Sequence, residues 1–149
     1  MRLLVPTAIC VLGAATLVDA SEKRVKMKDL PPAVQKTVQE QSKGATLRGL
    51  ARETEGGKTF YEAELKVNGH GKDVLIDPAG AVVEVEEEVP LAGVPSPAQE
   101  AIRKYAGSGK ILLVESVTKD GSVAYEAHVK KGMKTSEIKV DASGNPIDK

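Results

Sequence analysis

The chain has one cysteine, Cys10, and no tryptophan, and its aromatic residues amount to 3% of the sequence: Phe60, Tyr61, Tyr105 and Tyr125. So few rings leave little for stacking bases or sugars. Neither sign of charge dominates, since 21 Lys+Arg balance 21 Asp+Glu across 149 residues. A balanced chain does not suit a nucleic-acid binder that neutralises phosphates, nor a polybasic membrane anchor. Gly-x-Ser-x-Gly, a phosphate loop, a dinucleotide fingerprint and His-Glu-x-x-His are all missing. The two histidines, His70 and His128, match no zinc spacing. No catalytic residue, no cofactor and no metal is therefore expected. What remains, 41% hydrophobic and 28% charged residues, is enough to fold one domain or two very small ones.

The one long apolar run sits at the start, MRLLVPTAICVLGAATLVDA. Arg2, the apolar stretch Leu3 to Val18 and the small-residue site Val18-Asp19-Ala20 form the pattern of a secretory signal peptide. Pro6, Gly13 and Asp19 interrupt what a spanning helix would need. Residues 1–20 are expected to be removed, taking Cys10 with them. The mature chain then has no disulfide and no integral membrane segment, and is exported to the periplasm or the extracellular space.

Sliding the chain against itself by 64 positions aligns its halves without a gap. Pro31 meets Pro95, Gln35 meets Gln99, Tyr61-Glu62-Ala63 meets Tyr125-Glu126-Ala127, Asp77 meets Asp141 and Gly80 meets Gly144. The expectation is an α+β fold of two tandem repeats, residues 30–88 and 94–149. Residues 21–29 form an N-terminal segment and 89–93 a linker. Each repeat is expected to be a helix followed by an antiparallel meander of about four strands, the helices on one face. In the second helix Ser96-Pro97-Ala98-Gln99 matches a capping box, and Ala98, Ala101, Ile102 and Tyr105 share one face. Along the strands, Tyr61, Ala63, Leu65, Tyr125, Ala127 and Val129 point inward, toward the helices. Phe60, Glu62, Glu64, Lys66, Glu126, His128 and Lys130 point the other way.

That second face carries the candidate binding residues: Phe60, Glu62, Glu64, Leu75, Glu126, His128 and Lys130. The glutamates either bind a basic partner or are ordinary solvated strand residues. Phe60 either anchors an interface or covers a turn. Glu84, Glu86 and Glu88 alternate onto one face of an acidic strand, where a hard cation or a small molecule is an alternative ligand. A charged edge strand that discourages aggregation has the same pattern.

Leu30-Pro31-Pro32-Ala33-Val34, Tyr61-Glu62-Ala63-Glu64-Leu65 and Val74-Leu75-Ile76-Asp77-Pro78-Ala79-Gly80-Ala81-Val82 resemble the PepSY-like family, also described as beta-lactamase-inhibitor-like. Tyr125-Glu126-Ala127 and Asp141-Ala142-Ser143-Gly144-Asn145-Pro146-Ile147 repeat the pattern. The resemblance covers about residues 27–148. It implies an exported, non-catalytic module whose joined sheets form a saddle and which binds or inhibits a protein or peptidase of the cell envelope, as a monomer. Inhibition of a beta-lactamase is not carried over, because the chain lacks those inhibitors' disulfides and aromatic contact surface. Intact-mass measurement of the exported protein should place Ser21 at its N-terminus; a chain retaining Met1 to Ala20 would contradict the cleavage site.

Overall fold

In a computed structural model, residues 21–147 are described; the expected signal peptide, residues 1–20, lies outside them. The described elements are β1 (Ser21–Arg24), α1 (Pro32–Gln41), β2 (Thr46–Glu55), β3 (Lys58–Val67), β4 (His70–Ile76) and β5 (Val82–Glu88). After these come α2 (Ser96–Ala106), β6 (Lys110–Lys119), β7 (Ser122–Lys131) and β8 (Lys134–Asp141). A single 3-10 turn precedes each helix, Met27–Asp29 and Leu91–Gly93.

The strands form one antiparallel meander in the order β1 to β8. This corrects the expectation of two tandem helix-plus-meander repeats. β5 pairs with β6 from Glu84↔Lys119 to Glu88↔Glu115, so the sheet runs unbroken across the middle of the chain. The ends also differ from the expected scheme. β1 adds an edge strand from the N-terminal segment, with Glu22 opposite Glu53. After α2 only three strands form among the described residues, and what would be a fourth is reduced to one bridge from Val140 to Pro146. Proline donates no backbone hydrogen bond, which limits how far that tail can pair.

Both helices lie on one sheet face, each over its own apolar cluster. Val34 and Val38 of α1 pack with Leu50, Ala63, Leu65, Val74 and Ile76. Ala98, Ile102 and Ala106 of α2 pack with Val114, Ala127, Val129 and Val140. The buried stripe of α2 thus runs at i, i+4 and i+8. Tyr105 falls off that stripe and is 47% exposed, against its expected place in the core. Tyr61 and Tyr125 are half-buried at the margins of the two clusters.

The helix starts also differ from expectation. Pro95, not Ser96, is the N-cap of α2, and no side chain caps it. Gln99 instead donates from Nε2 to the Leu91 carbonyl in the preceding turn at 3.0 Å. Gln35 does the same to Leu30 at 2.9 Å. In both cases the amide ties the helix to the 3-10 turn before it and leaves its own N-cap alone.

The Asp-x-x-Gly motifs have a structural purpose. The Asp77 carboxylate accepts from the amides of Ala79 and Ala81, both at 2.9 Å. Asp141 accepts from Ser143 and Asn145 at 2.8 and 2.9 Å. These tight turns carry Gly80 (φ 88°) and Gly144 (φ 83°) against the helices. A Cβ on Gly80 would stand 2.8 Å from the Ala33 carbonyl oxygen, and one on Gly144 2.5 Å from that of Pro97. Thr37 completes the first contact by donating its hydroxyl to the Gly80 carbonyl at 2.6 Å.

Ile102 is fully buried under α2. Ile102→Ala should therefore lower the unfolding free energy by about 2–5 kcal/mol in urea titration. Gly144→Ala should also destabilise, through its left-handed backbone and the Pro97 contact. An unchanged urea midpoint for either variant would mean that α2 is not seated on the sheet.

Candidate functional site: the open face of the sheet

Strand alternation sends one set of side chains under the helices and the other to the opposite face. Antiparallel register then sorts the second set into rows. One row runs Glu64, Asp73, Glu86 and Val117, and the next Glu62, Leu75, Glu84 and Lys119. A third runs Glu88, Glu115, Glu126 and Lys139. Like charges directly opposite one another destabilise a sheet, yet two of these rows place three carboxylates side by side.

Cations answer only part of this charge. Arg24 pairs with Glu64 at 2.6 Å, and that hydrogen bond raises the guanidinium pKa further. Lys119 pairs with Glu84 at 2.8 Å, and Lys139 with Glu126 at 3.4 Å. His128 stands among three carboxylates: Glu115 at 3.2 Å, Glu126 at 3.8 Å and Glu137 at 4.0 Å. Its hydrogen bond to Glu115, with the surrounding negative charge, raises its pKa against the opposing effect of burial.

Protons cover much of the rest. Glu62 is 8% exposed and hydrogen-bonds carboxyl to carboxyl with Glu53. Burial first, then that bond, pushes its pKa up to about 9, while burial also raises Glu53. Glu86 is raised to about 8 by burial and by the charges of Glu115 and Glu84. Asp73 is raised to about 7 by burial, with Glu115 and Glu64 adding to it. Carboxyl oxygens of Asp73, Glu86 and Glu115 approach within 4.8 Å of one another, as do those of Glu22, Glu62 and Glu64.

Among the residues singled out from sequence, Glu62 and Glu64 come together beside Glu22, and Glu126 and His128 beside Glu137. Leu75 lies between Glu62 and Glu84. Phe60 is half-buried opposite Glu53. Lys130 stands apart, exposed at the strand end between Lys110 and Thr135. The acidic strand is β5: Glu84 is taken by Lys119, and Glu88 accepts the Gly71 amide at 3.0 Å. Glu53, Asp73, Glu115 and Glu137 were not singled out. Alternation marks each as facing outward, but their meeting depends on registers between strands that period-two patterning does not contain.

The sequence matches no protein-family model and no curated protein. Solved structures are similar in fold. A DUF2874 family protein from Bacteroides ovatus shares 18% identity over 79% of this chain and 84% of its own, with a TM-score of 0.61. A Bacteroides eggerthii protein, whose name provisionally places it in the periplasm, shares 20% over 79% and 86%, at 0.66. A BLIP-like protein from Bacteroides fragilis shares 18% over 79% and 83%, at 0.59. The chain therefore has the fold found in DUF2874 and BLIP-like proteins. At these identities the likeness extends to the fold alone. No helix of the described residues is long and apolar enough to cross a membrane.

The raised carboxyl pKa values fix the sign of a pH effect. In the unfolded chain these groups titrate near 4. Between about pH 4 and the folded values of about 7 to 9, the folded state holds protons that the unfolded state has released. Their contribution to stability is complete below about pH 4 and is lost as pH rises through that window. His128, with its raised pKa, acts in the same direction, its contribution fading as pH climbs past its folded value. Calorimetric melting temperatures should therefore fall between about pH 5 and pH 9. Glu62→Gln should raise the melting temperature at about pH 9 and flatten the dependence; a wild-type protein that gains stability over this range would contradict the assignment.

Proposed function

We propose that the chain is an exported, non-catalytic module that binds a protein or peptide of the cell envelope through the open sheet face, and that the bound segment is basic. The observation that carries this reading is the stacking of carboxylates in cross-strand rows, more of them than the facing cations neutralise. The arrangement costs stability in the free protein, and a cationic partner would recover that cost by replacing shared protons with ion pairs. Half-buried Phe60 and Leu75 supply apolar contact among the charges. The PepSY-like resemblance and the fold shared with a BLIP-like protein support a binding module. The signal-peptide pattern, together with a neighbour provisionally assigned to the periplasm, supports export.

A second reading, an envelope sensor for a divalent cation or small molecule on the acidic strand, draws on the grouping of Asp73, Glu86 and Glu115 oxygens within 4.8 Å. The acidic rows extend across several strands, a span that a basic segment can follow and a single ion cannot, which favours the first reading.

Titration calorimetry with a short peptide of alternating lysine and leucine tests the first reading, and titration with calcium tests the second. The peptide should bind more weakly as salt rises. Phe60→Ala should cost about 1–3 kcal/mol of that affinity, and Glu115→Gln with Glu126→Gln should lower it further. Lys36→Ala, on the exposed side of α1, should change nothing. Loss of affinity with Lys36→Ala but not with Phe60→Ala would make the helical side the interface. A saturable, stoichiometric calcium signal without peptide binding would favour the sensor.

A further inference from the structure

The end of the β7–β8 hairpin has a chemistry opposite to that of the open face. The turn consists of Gly132 and Met133, between the paired residues Lys131 and Lys134. Gly132 takes φ 62°, the first-position glycine of a tight hairpin turn. Met133 is then carried to the tip, 98% exposed. One step back, Lys130 lies directly opposite Lys110 on β6. Two lysine pairs thus face each other across strands, an arrangement unfavourable in the free protein. All four lysines are exposed, and none has an ion pair among the described residues. Leu112, in the bulge next to Lys110, adds a second apolar side chain, 48% exposed.

The fold does not demand this composition. The β3–β4 hairpin makes an equally tight turn with Asn68 and Gly69 between Val67 and His70. There the polar groups have partners: His70 lies 3.7 Å from Glu87, and the Gly71 amide donates to Glu88. The β7–β8 tip is the same device with an apolar residue at its apex and uncompensated lysines around it.

We propose that this tip is a contact site for an anionic lipid bilayer: Met133 enters the headgroup layer, and Lys110, Lys130, Lys131 and Lys134 lie against the lipid phosphates. A lone apolar residue at a convex tip has no groove to match and needs none in a soft interface. A ring of long lysine side chains adapts to headgroups without a defined geometry. Both halves of the site tolerate a fluid partner. The proposal does not need the open-face reading: Lys130 shares that face by alternation, but Met133 and the Lys131–Lys134 pair at the hairpin end do not belong to its acidic rows.

Vesicle co-sedimentation of the exported protein tests it, with phosphatidylglycerol–phosphatidylcholine vesicles against vesicles of phosphatidylcholine alone. Binding should require the anionic lipid and disappear on raising salt from about 0.05 to about 0.5 M. A surface lysine contributes about fivefold, so K131E/K134E should lower the partition coefficient at least about twentyfold. Met133→Ser should lower it by about tenfold with every charge retained. These residues are exposed, so circular dichroism should be unchanged in each variant. Equal binding to both vesicle types, or no loss in K131E/K134E, would overturn the proposal. So would lipid-free self-association abolished by K131E/K134E, which would assign the tip to the acidic face of a second copy. Peptide binding by the open face should survive in K131E/K134E and in Met133→Ser, so failure of one site leaves the other measurable.

Discussion

The pairing of β5 with β6 is the constraint on which the rest of this molecule depends. Five residue pairs, from Glu84↔Lys119 to Glu88↔Glu115, join the strands before α2 to the strands after it. Without them each side would have a free edge and a small core under a single helix, a unit of marginal stability. With them, the two clusters around Val38 and Ile102 share one rigid sheet. The same pairing brings Glu86 alongside Glu115, so the acidic rows continue from one half into the other.

A sheet with one face under helices has a second face that must be compatible with water. Here it carries carboxyls packed closely enough that several lose much of their solvation. Ionising all of them would set unscreened like charges side by side; keeping them neutral costs only the proton's chemical potential. The face settles between these limits, with Glu62 hydrogen-bonded to Glu53 and Arg24, Lys119 and Lys139 supplying local compensation. Charge on the molecule is thus separated in space, although its total is zero. The open face holds excess acid, and the β7–β8 tip holds unpaired base.

Some of this was visible in the sequence and some was not. Turn chemistry was legible: Asp77 and Gly80, like Asp141 and Gly144, announce tight turns because few other residues accept those backbone angles or hydrogen bonds. The facing of β3 and β7 was legible as well, since Ala63, Leu65, Ala127 and Val129 lie under the helices as alternation requires. The capping box was misleading, since Ser96 and Gln99 fit the pattern while the preceding Leu91 carbonyl offers Gln99 a partner that no local rule anticipates. Tyr105 was misplaced because a helical stripe drawn through Ala98 and Ile102 can drift to either side, and the sheet beneath selected Ala106.

By itself the sequence determined which side chains lie on which face of each strand, because the alternation of a strand is a local property of its backbone. It also determined the two helices, the turns between strands and the balance of charge. Tertiary structure decided that one sheet forms and not two, because strand pairing across α2 depends on hydrogen bonds between residues about thirty apart in sequence, to which no local pattern refers. It likewise decided which carboxylates meet. Glu62 finds Glu53, and Asp73 finds Glu86 and Glu115, only when register sets strands side by side and burial removes the water that would have kept each charge separate.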